Sequence, residues 1–270
     1  MHPILFDLGP FEVRTYGVLL SLAFLLGIGM SVKRGVKRGF PSSLVYDLSM
    51  VIILSAIIGS RAYYVLLHVG EFTGSPLSAL RVWEGGLAMD GGIVLSVLAG
   101  SLFLRARRVS IRRLADVIAP ALAFGIAITR IGCYYNGCCF GIPVNTSLGR
   151  VFPPGSEAGY RFPHEAIHPT QLYSSLSGLG IFLILIVVDR CPRREGFLFG
   201  LTLVLNSMAR FGIDYLRYYS PRSSFEVMGR AFTFNQGISL ALLLLGVAFM
   251  AWPIRGHRGS STLVTGERVG

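Results

Sequence analysis

The stretch from residue 181 to residue 194, IFLILIVVDRCPRR, indicates the fold class of this sequence. It begins with an unbroken apolar run that closes a longer apolar segment over residues 171–188. Arg190, Arg193 and Arg194 follow directly. A helix needs about 20 largely apolar residues to cross a bilayer, and basic residues collect at the cytoplasmic ends of such helices. The stretch therefore predicts a transmembrane helix that ends in a basic loop.

The composition of the whole chain is also typical of a membrane protein. Of the 270 residues, 52% are hydrophobic and only 14% are charged, and the mean hydropathy is +0.60. Soluble domains carry about 25% charged residues, so this chain has too few to cover a globule in water. The net charge of +11 could suggest nucleic acid as a partner, but the basic residues lie in short clusters between apolar runs. We therefore expect a bilayer as the environment and no nucleic-acid partner.

Seven segments are long and apolar enough to span a membrane. They cover residues 15–33, 47–68, 86–104, 114–129, 171–188, 196–213 and 236–253. The third and fourth are the weakest, because Asp90 interrupts the third, and Asp116 and Pro120 lie near one end of the fourth. The expected fold is an all-α integral membrane protein with about seven transmembrane helices, in a single polytopic domain over residues 1–255.

Basic residues predict how these helices cross the membrane. They cluster after the first, third, fifth and seventh segments: Lys33, Arg34, Lys37, Arg38; Arg105, Arg107, Arg108, Arg112, Arg113; Arg190, Arg193, Arg194; and Arg255, Arg258, Arg268. By the positive-inside rule this alternation predicts an external N-terminus and a cytoplasmic C-terminus. We expect an external arm over residues 1–14, an external signature loop and head region over 130–170, and a cytoplasmic tail over 256–270.

Ionisable residues within or at the ends of the predicted helices point to function. With the orientation above, five of them lie in the outer half of their helices: Arg61, Asp90, Arg130, Arg210 and Asp214. Such residues are costly in a membrane unless they are paired or hydrated. The arginines could simply reach toward the head groups, and Asp214 could form a structural pair with Arg210 or Arg217. The alternative is a site that handles lipid head groups from the outer leaflet.

Several motifs carry a likeness to a known family. They are PILFDLGP at 3–10 followed by Tyr16 and Gly17, GSRAYY at 59–64, RVWEGGL at 81–87, RIGCYYNGCCFG at 130–141, HPTQLY at 168–173, and Arg210 with Asp214 on the sixth helix. In order, spacing and placement, the chain resembles the bacterial prolipoprotein diacylglyceryl transferases from about Pro3 to Trp252. Each motif alone is weak, and their combination is specific.

The resemblance implies a reaction on a lipid and a thiol at the bacterial inner membrane. Members of the family move the diacylglyceryl group of phosphatidylglycerol onto the lipobox cysteine of a prolipoprotein signal peptide, which forms a thioether and releases glycerol phosphate. Arg130 and Arg210 match the family's essential arginines, and a guanidinium suits a leaving phosphate. No cofactor or metal ion is required by this chemistry. The same fold could also serve another acceptor, or bind lipid without catalysis.

The family pattern is broken at several positions. Asp90 stands where the family has a histidine, and it could act as the base or as a counter-ion for Arg130 or Arg210. Cys133 and Cys138 replace a signature asparagine and a glutamate, and Cys139 follows. These three cysteines could pack a tight turn, form a disulfide on the oxidising side of the membrane, or bind a metal ion, although no Cys-x-x-Cys pair is present.

The remaining candidate residues are assigned to substrate binding by their match to the family motifs. They are Tyr16, Arg61, Asn136, Gly141, His168, Gln171, Tyr173, Asp214 and Gln236. The alternatives without a substrate contact are a position in the interfacial aromatic belt for Tyr16 and a polar anchor of the loop before the fifth helix for His168. The long segment over residues 142–167 is expected to be either a lid or docking region for a substrate chain, or an exposed loop.

Overall fold

The computed structural model describes residues 4–7, 12–219, 224–227 and 230–251. Within these residues, seven helices are long and apolar enough to cross a membrane, which confirms the expected fold class. They are α1 (Thr15–Lys37), α2 (Ser42–Leu67), α4 (Met89–Ala106), α5 (Ile111–Asn136), α7 (Thr170–Val188), α8 (Phe197–Asp214) and α9 (Phe234–Ala251). Each corresponds to one predicted segment. The predicted tail over 256–270 and residues 1–3 and 8–11 of the predicted arm lie outside the described residues.

Shorter elements connect these helices. Two antiparallel hairpins precede α1 and α9, and short helical turns occupy the α2–α4 and α5–α7 connections. Their bounds are β1 (Ile4–Asp7) with β2 (Glu12–Arg14), β3 (Ser224–Val227) with β4 (Arg230–Thr233), α3 (Val69–Phe72), two 3₁₀ turns at Pro76–Leu80 and Val82–Glu84, and α6 (Glu157–Arg161).

One end of the bundle, called here the basic end, is held by shared carboxylates. Asp189, which follows α7, accepts a hydrogen bond from the guanidinium of Arg34 at 2.9 Å and another from Arg38, both on the C-terminal side of α1. The Nε of Arg34 also donates to the carbonyl of Val117 in α5 at 3.0 Å. Pairing of this kind removes most of the cost of charge near the hydrocarbon.

Asp116 holds the start of α8 at the same end. It lies in α5, is only 6% exposed, and accepts hydrogen bonds from the backbone N–H groups of Gly196 at 2.7 Å and Phe199 at 2.9 Å. An anion is stabilised by the free N–H groups and the dipole at a helix N-terminus. The fourth predicted segment therefore spans the membrane although it contains an aspartate.

Two further contacts bring the remaining helices to the basic end. Arg107 lies 3.4 Å from Asp47, which joins the end of α4 to the start of α2. Arg112, near the start of α5, donates to the carbonyl of Phe249 near the end of α9. All seven helices therefore have their opposite termini at the other end of the bundle, called here the site end.

Helix α5 lies at the centre of the bundle, where it packs against α1, α7 and α8. It extends to Asn136, seven residues beyond the predicted end at 129. The next residue, Gly137, is left-handed at φ 69°, and the N–H of Cys138 bonds to the carbonyl of Cys133 at 3.2 Å. This is a Schellman cap. Because polar residues of this last turn face protein as well as lipid, hydropathy alone ended the helix too early.

Helices α2 and α4 pack closely through glycines. A Cβ placed on Gly59 would lie 2.5 Å from the carbonyl oxygen of Gly91 and 2.7 Å from Cβ of Leu95. A Cβ on Gly92 would lie 2.9 Å from the carbonyl oxygen of Ala56. Small residues allow membrane helices to approach in this way, since lipid gives little hydrophobic drive for association.

Gly59→Ala should therefore destabilise the bundle by about 1–3 kcal/mol, because the added methyl meets backbone atoms that cannot rotate away. The control is Gly27→Ala in α1, where a Cβ meets nothing within 4 Å. Both changes gain similar intrinsic helix propensity, so their difference reports the packing. Unfolding of the detergent-purified protein by heat or SDS measures it. Equal stability of the two variants would contradict the close α2–α4 contact.

Candidate functional site

Three cysteines meet at the site end of α5. Cys133 is buried in the last turn of the helix, and Cys138 and Cys139 follow the cap at Gly137. Their sulfur atoms all lie within 4.8 Å of one another. All three are free thiols, so the disulfide predicted as one alternative is not formed in the structure. Their proximity could not be read from the sequence spacing, because it depends on the turn made by Gly137 and on the left-handed backbone of Cys139 at φ 60°.

The first turn of α7 holds this cysteine loop in place. The amide Nε2 of Gln171 donates to the carbonyl of Cys138 at 2.8 Å, and the hydroxyl of Thr170 donates to the carbonyl of Cys139 at 2.8 Å. Both side chains are 1% exposed. The side chain of Asn136 interacts with the thiol of Cys138. Gln171 and Asn136, predicted to bind substrate, are therefore brought to the cysteines and engage them directly.

The surroundings of Cys139 favour its thiolate. Hydrogen bonds from the thiols of Cys133 and Cys138, followed by the positive charges of Arg217 and Arg130, lower the pKa of the Cys139 thiol below its ordinary value. The hydroxyl of Tyr16, in the first turn of α1, interacts electrostatically with all three cysteines and with Arg130.

Three arginines lie near each other at the site end. Arg210 in α8 interacts electrostatically with Arg130 at the end of α5 and with Arg217 beyond α8. One amino group of Arg210 donates to Oδ1 of Asn235 at 3.2 Å, and the Nε of Arg217 is buried without a hydrogen-bond partner among the described residues. Within that part of the chain, none of the three forms an ion pair with a carboxylate. This region therefore carries an excess of positive charge.

Asp214 does not form the ion pair with Arg210 or Arg217 that the sequence left open as one alternative. It is 4% exposed and accepts hydrogen bonds from the hydroxyl of Tyr219 and, at 2.7 Å, from that of Thr233. That alternative considered only charged partners, whereas two hydroxyl groups satisfy the carboxylate here.

Gln236 belongs to the same network. Its Oε1 accepts from the N–H of Thr233 at 3.1 Å, while its own N–H donates to the hydroxyl of Thr233 at 3.2 Å. This reciprocal pair is a capping box at the start of α9. The contacts give Gln236 a helix-capping role, and its predicted contact with substrate stays a prediction.

Arg61 organises the loop between α2 and α4. It is 7% exposed, and its guanidinium donates to four backbone carbonyls, those of Ser78, Ala79, Gly85 and Gly86, at 2.7–3.1 Å. Four acceptors replace water around the charge and fix the loop on α2. These contacts favour a positioning role for Arg61 over the direct substrate contact predicted from the sequence.

Among the described residues, Asp90 forms no ion pair with any of the three arginines. It is exposed in the first turn of α4, a helix that packs chiefly on α2. Asp90 is not among the charges that influence Arg210 most. The structure thus lends no support to Asp90 as a counter-ion for Arg210, and its role as a base stays a prediction.

Gly141 lies where three backbone segments meet. Its N–H donates to the carbonyl of His168 at 3.0 Å, and it bridges to Arg217. A Cβ at Gly141 would lie 2.5 Å from the carbonyl oxygen of Leu216 and 2.6 Å from Cβ of His168. The sequence match at Gly141 thus marks a close backbone approach. The ring Nδ1 of His168 in turn lies 3.2 Å from the hydroxyl of Tyr173, so these two predicted residues contact each other.

The segment over residues 142–167 is folded rather than extended over the surface. Backbone hydrogen bonds of 2.8–3.0 Å join Val144 to Ala166 and Arg150 to Ile167. Its core is formed by three buried residues of the segment, Phe152, Ala158 and Ile167. They pack with Phe140, which lies at the end of the signature motif. This ordered head is consistent with the predicted docking region.

Four residues of the site were missed or given another role from the sequence. Thr170 and Thr233 were unmarked, although Thr233-x-x-Gln236 is the signature of a capping box. Tyr219 and Arg217 lie in the irregular segment after α8, where no periodicity indicates direction. Arg217 was considered only as a structural partner of Asp214, and only nearness to Asp214 in sequence could have suggested Tyr219.

Tyr219→Phe should destabilise the protein by about 1.5–3 kcal/mol near neutral pH, because it removes a hydrogen bond to a charged group. Burial, and next the bond to Asp214, raise the pKa of Tyr219 to about 12 from its ordinary value near 10. Because the pKa is higher in the folded state, the protonated tyrosine contributes its full share to the free energy of unfolding below about pH 10. This contribution is lost as the pH rises from about 10 to about 12. The gap between wild type and variant should shrink over that range.

Thermal unfolding in detergent, recorded from pH 8 to pH 12, measures this gap. The control is Tyr160→Phe, since Tyr160 is 85% exposed. A Tyr219→Phe variant that follows the control at every pH would contradict the hydrogen bond.

Comparisons with known proteins agree with the resemblance found in the motifs. The model of the prolipoprotein diacylglyceryl transferase family matches residues 3–252. A phosphatidylglycerol–prolipoprotein diacylglyceryl transferase of Parasynechococcus marenigrum (strain WH8102) is 34% identical over 221 residues, 80% of each chain. One of Nostoc sp. (strain PCC 7120) is 34% identical over 256 residues, 93% of this chain and 88% of its own. The chain therefore belongs to the prolipoprotein diacylglyceryl transferase family and is a membrane-spanning transferase.

Proposed function

We propose that this protein transfers the diacylglyceryl group of phosphatidylglycerol to the lipobox cysteine thiol of prolipoproteins. The thiol releases its proton, and its sulfur attacks the glyceryl carbon that carries the phosphate ester. A carbon–sulfur bond forms, the carbon–oxygen bond breaks, and glycerol phosphate leaves with the electron pair. The relatives that match this chain are named for this donor and acceptor.

The observation that supports the proposal most is the group of arginines at the site end. Arg210 interacts electrostatically with both Arg130 and Arg217, and no carboxylate pairs with any of the three among the described residues. A phosphate that develops charge as it leaves would supply the missing counter-ion. Guanidinium groups already in place stabilise that charge without reorganisation, and they do so strongly where water is excluded.

The orientation of the site follows from the charges of the other end. Among the described residues, the basic end carries three of the four predicted cytoplasmic clusters, including Arg34, Arg38 and Arg107. By the positive-inside rule, the site end then faces the periplasmic side of the inner membrane. A prolipoprotein signal peptide and the head group of outer-leaflet phosphatidylglycerol are both available there. Tyr16, Asn136, Gln171, His168 and Tyr173 all lie at this end and would line the approach.

Arg130→Ala and Arg210→Ala should each reduce transfer by about 10²–10³-fold, the usual loss when one donor to a developing oxyanion is removed. The control is Arg190→Ala, because Arg190 is exposed beyond α7 at the basic end. The assay uses membranes of cells depleted of their own transferase, with labelled phosphatidylglycerol and a lipobox peptide.

The products in this assay separate the possible functions. Label on the peptide cysteine supports the proposal. Glycerol phosphate without peptide label indicates a different acceptor, and neither product from folded protein indicates lipid binding alone. Full transfer by Arg130→Ala would refute the assigned phosphate contact.

Asp90→Asn tests whether the carboxylate acts as the base. If Asp90 removes the thiol proton, the variant should lose about 10²–10⁴-fold in rate at neutral pH, and Asp90→His should restore much of it. Asp90 is exposed and is not a principal charge partner of Arg210. We therefore expect that Asp90 is not the base and that Asp90→Asn lowers the transfer rate by less than about tenfold. A matched change of an exposed carboxylate, Glu157→Gln, sets the baseline for the same transfer assay.

A further inference from the structure

The three sulfur atoms at the end of α5 have the arrangement of a metal site. Those of Cys133, Cys138 and Cys139 lie within 4.8 Å of one another. A tetrahedral zinc ion with bonds of about 2.3 Å to sulfur requires sulfur atoms about 3.8 Å apart. Small side-chain rotations close that difference. Thiolates select Zn²⁺ or Cu⁺ over Mg²⁺ and Ca²⁺, which prefer oxygen.

The backbone around the cysteines is held in position by other parts of the protein. Cys133 is anchored in a helix, and the carbonyls of Cys138 and Cys139 accept from Gln171 and Thr170 at 2.8 Å. The left-handed backbone of Cys139 costs about 1 kcal/mol or more, and it persists only where the surroundings enforce it. The site is therefore prepared for a ligand, and binding would require little ordering.

The charges nearby suit a thiolate–metal centre. Three thiolates and one divalent ion carry a net charge of −1, and Arg130 and Arg217 both act electrostatically on this group. Oε1 of Gln171, buried without a partner among the described residues, can accept a hydrogen bond close to the site. No other His, Cys, Asp or Glu in the described residues belongs to the cluster, so three protein ligands leave one position open.

We propose that Cys133, Cys138 and Cys139 bind one zinc ion as thiolates, and that its open fourth position receives the acceptor thiol. The second half of this inference rests on the proposed transfer function. The thiol loses its proton to water as sulfur binds the zinc ion. The bound sulfur then attacks the glyceryl carbon, the carbon–oxygen bond breaks, and the phosphate leaves toward Arg130 and Arg210.

This assignment accounts for the departures from the family pattern. The base expected in the family is replaced by Asp90, which is exposed and has no contact with the cysteine cluster among the interactions described. A zinc ion deprotonates a bound thiol outright, so a separate protein base is not needed. The two signature positions that became cysteine, at 133 and 138, supply two of the ligands.

Metal content of the full-length protein, purified in detergent with a phosphine reductant, tests the site. We expect about one zinc ion per chain, in line with a single cluster. Cys133→Ser, Cys138→Ser and Cys139→Ser should each lose most of it, while Cys191→Ser should keep it because Cys191 is exposed at the basic end. Replacement by Co²⁺ in wild-type protein should give thiolate charge-transfer absorption with the intense visible bands of a tetrahedral site.

Zinc content no higher than in the cysteine variants, or cobalt protein without thiolate absorption, would overturn the site. So would thiol counting that finds Cys133 joined to Cys138 or Cys139 by a disulfide in protein isolated without reductant. The wild-type cobalt spectrum keeps the test decisive even if a serine variant does not fold.

Binding of the acceptor is tested with the cobalt protein and a lipobox peptide. The cysteine peptide should shift the charge-transfer band, and a peptide with serine at that position should not. A spectrum unchanged by both peptides would overturn thiol binding and leave a structural metal site. Failure of the proposed function is separate: the cobalt protein would shift with the cysteine peptide, yet the zinc-loaded wild type would transfer no label from phosphatidylglycerol.

Discussion

Guanidinium groups in a bilayer need hydrogen-bond acceptors or counter-ions, and the two ends of this protein differ in how far they supply them. At the basic end, Arg34 and Arg38 share Asp189, and Asp116 accepts from backbone N–H groups at the start of α8. Those contacts set the relative height of the helices. At the site end, Arg130, Arg210 and Arg217 have no carboxylate pair among the described residues. The paired charges fix the scaffold, and the unpaired ones remain free to interact with an anion.

The two carboxylates at the site end, Asp214 and Asp90, differ in their burial and in their partners. Asp214 is buried and satisfied by the hydroxyls of Tyr219 and Thr233, which links the end of α8 to the cap of α9. That arrangement keeps a negative charge close to Arg210 without neutralising it through a direct ion pair. Asp90 is exposed on another helix pair. Among the described residues, neither carboxylate forms an ion pair with the three arginines.

The sequence predicted the helices well because a single quantity, apolar length, dominates in lipid. The predicted end of the fourth helix at 129 was early, since the turn that contains Cys133 is polar yet packed, and only the cap at Gly137 ends it. Sequence reasoning placed Arg61 among the site residues but could not foresee that its acceptors are carbonyls 17–25 residues away. The meeting of three sulfurs depends on two left-handed residues, and spacing alone does not encode it.

The loop that Arg61 holds also carries three apolar side chains far from any core. Leu77, Leu80 and Trp83 are each more than 70% exposed, and the loop lies at the site end of α2. Tryptophan at such a position favours the boundary between head groups and hydrocarbon, and the leucines favour the adjoining hydrocarbon. The guanidinium of Arg61 ties this loop to α2, so the exposed apolar side chains are held in a fixed position relative to the site end. Residues that take no part in the chemistry thus give the site end an apolar surface suited to the membrane interface.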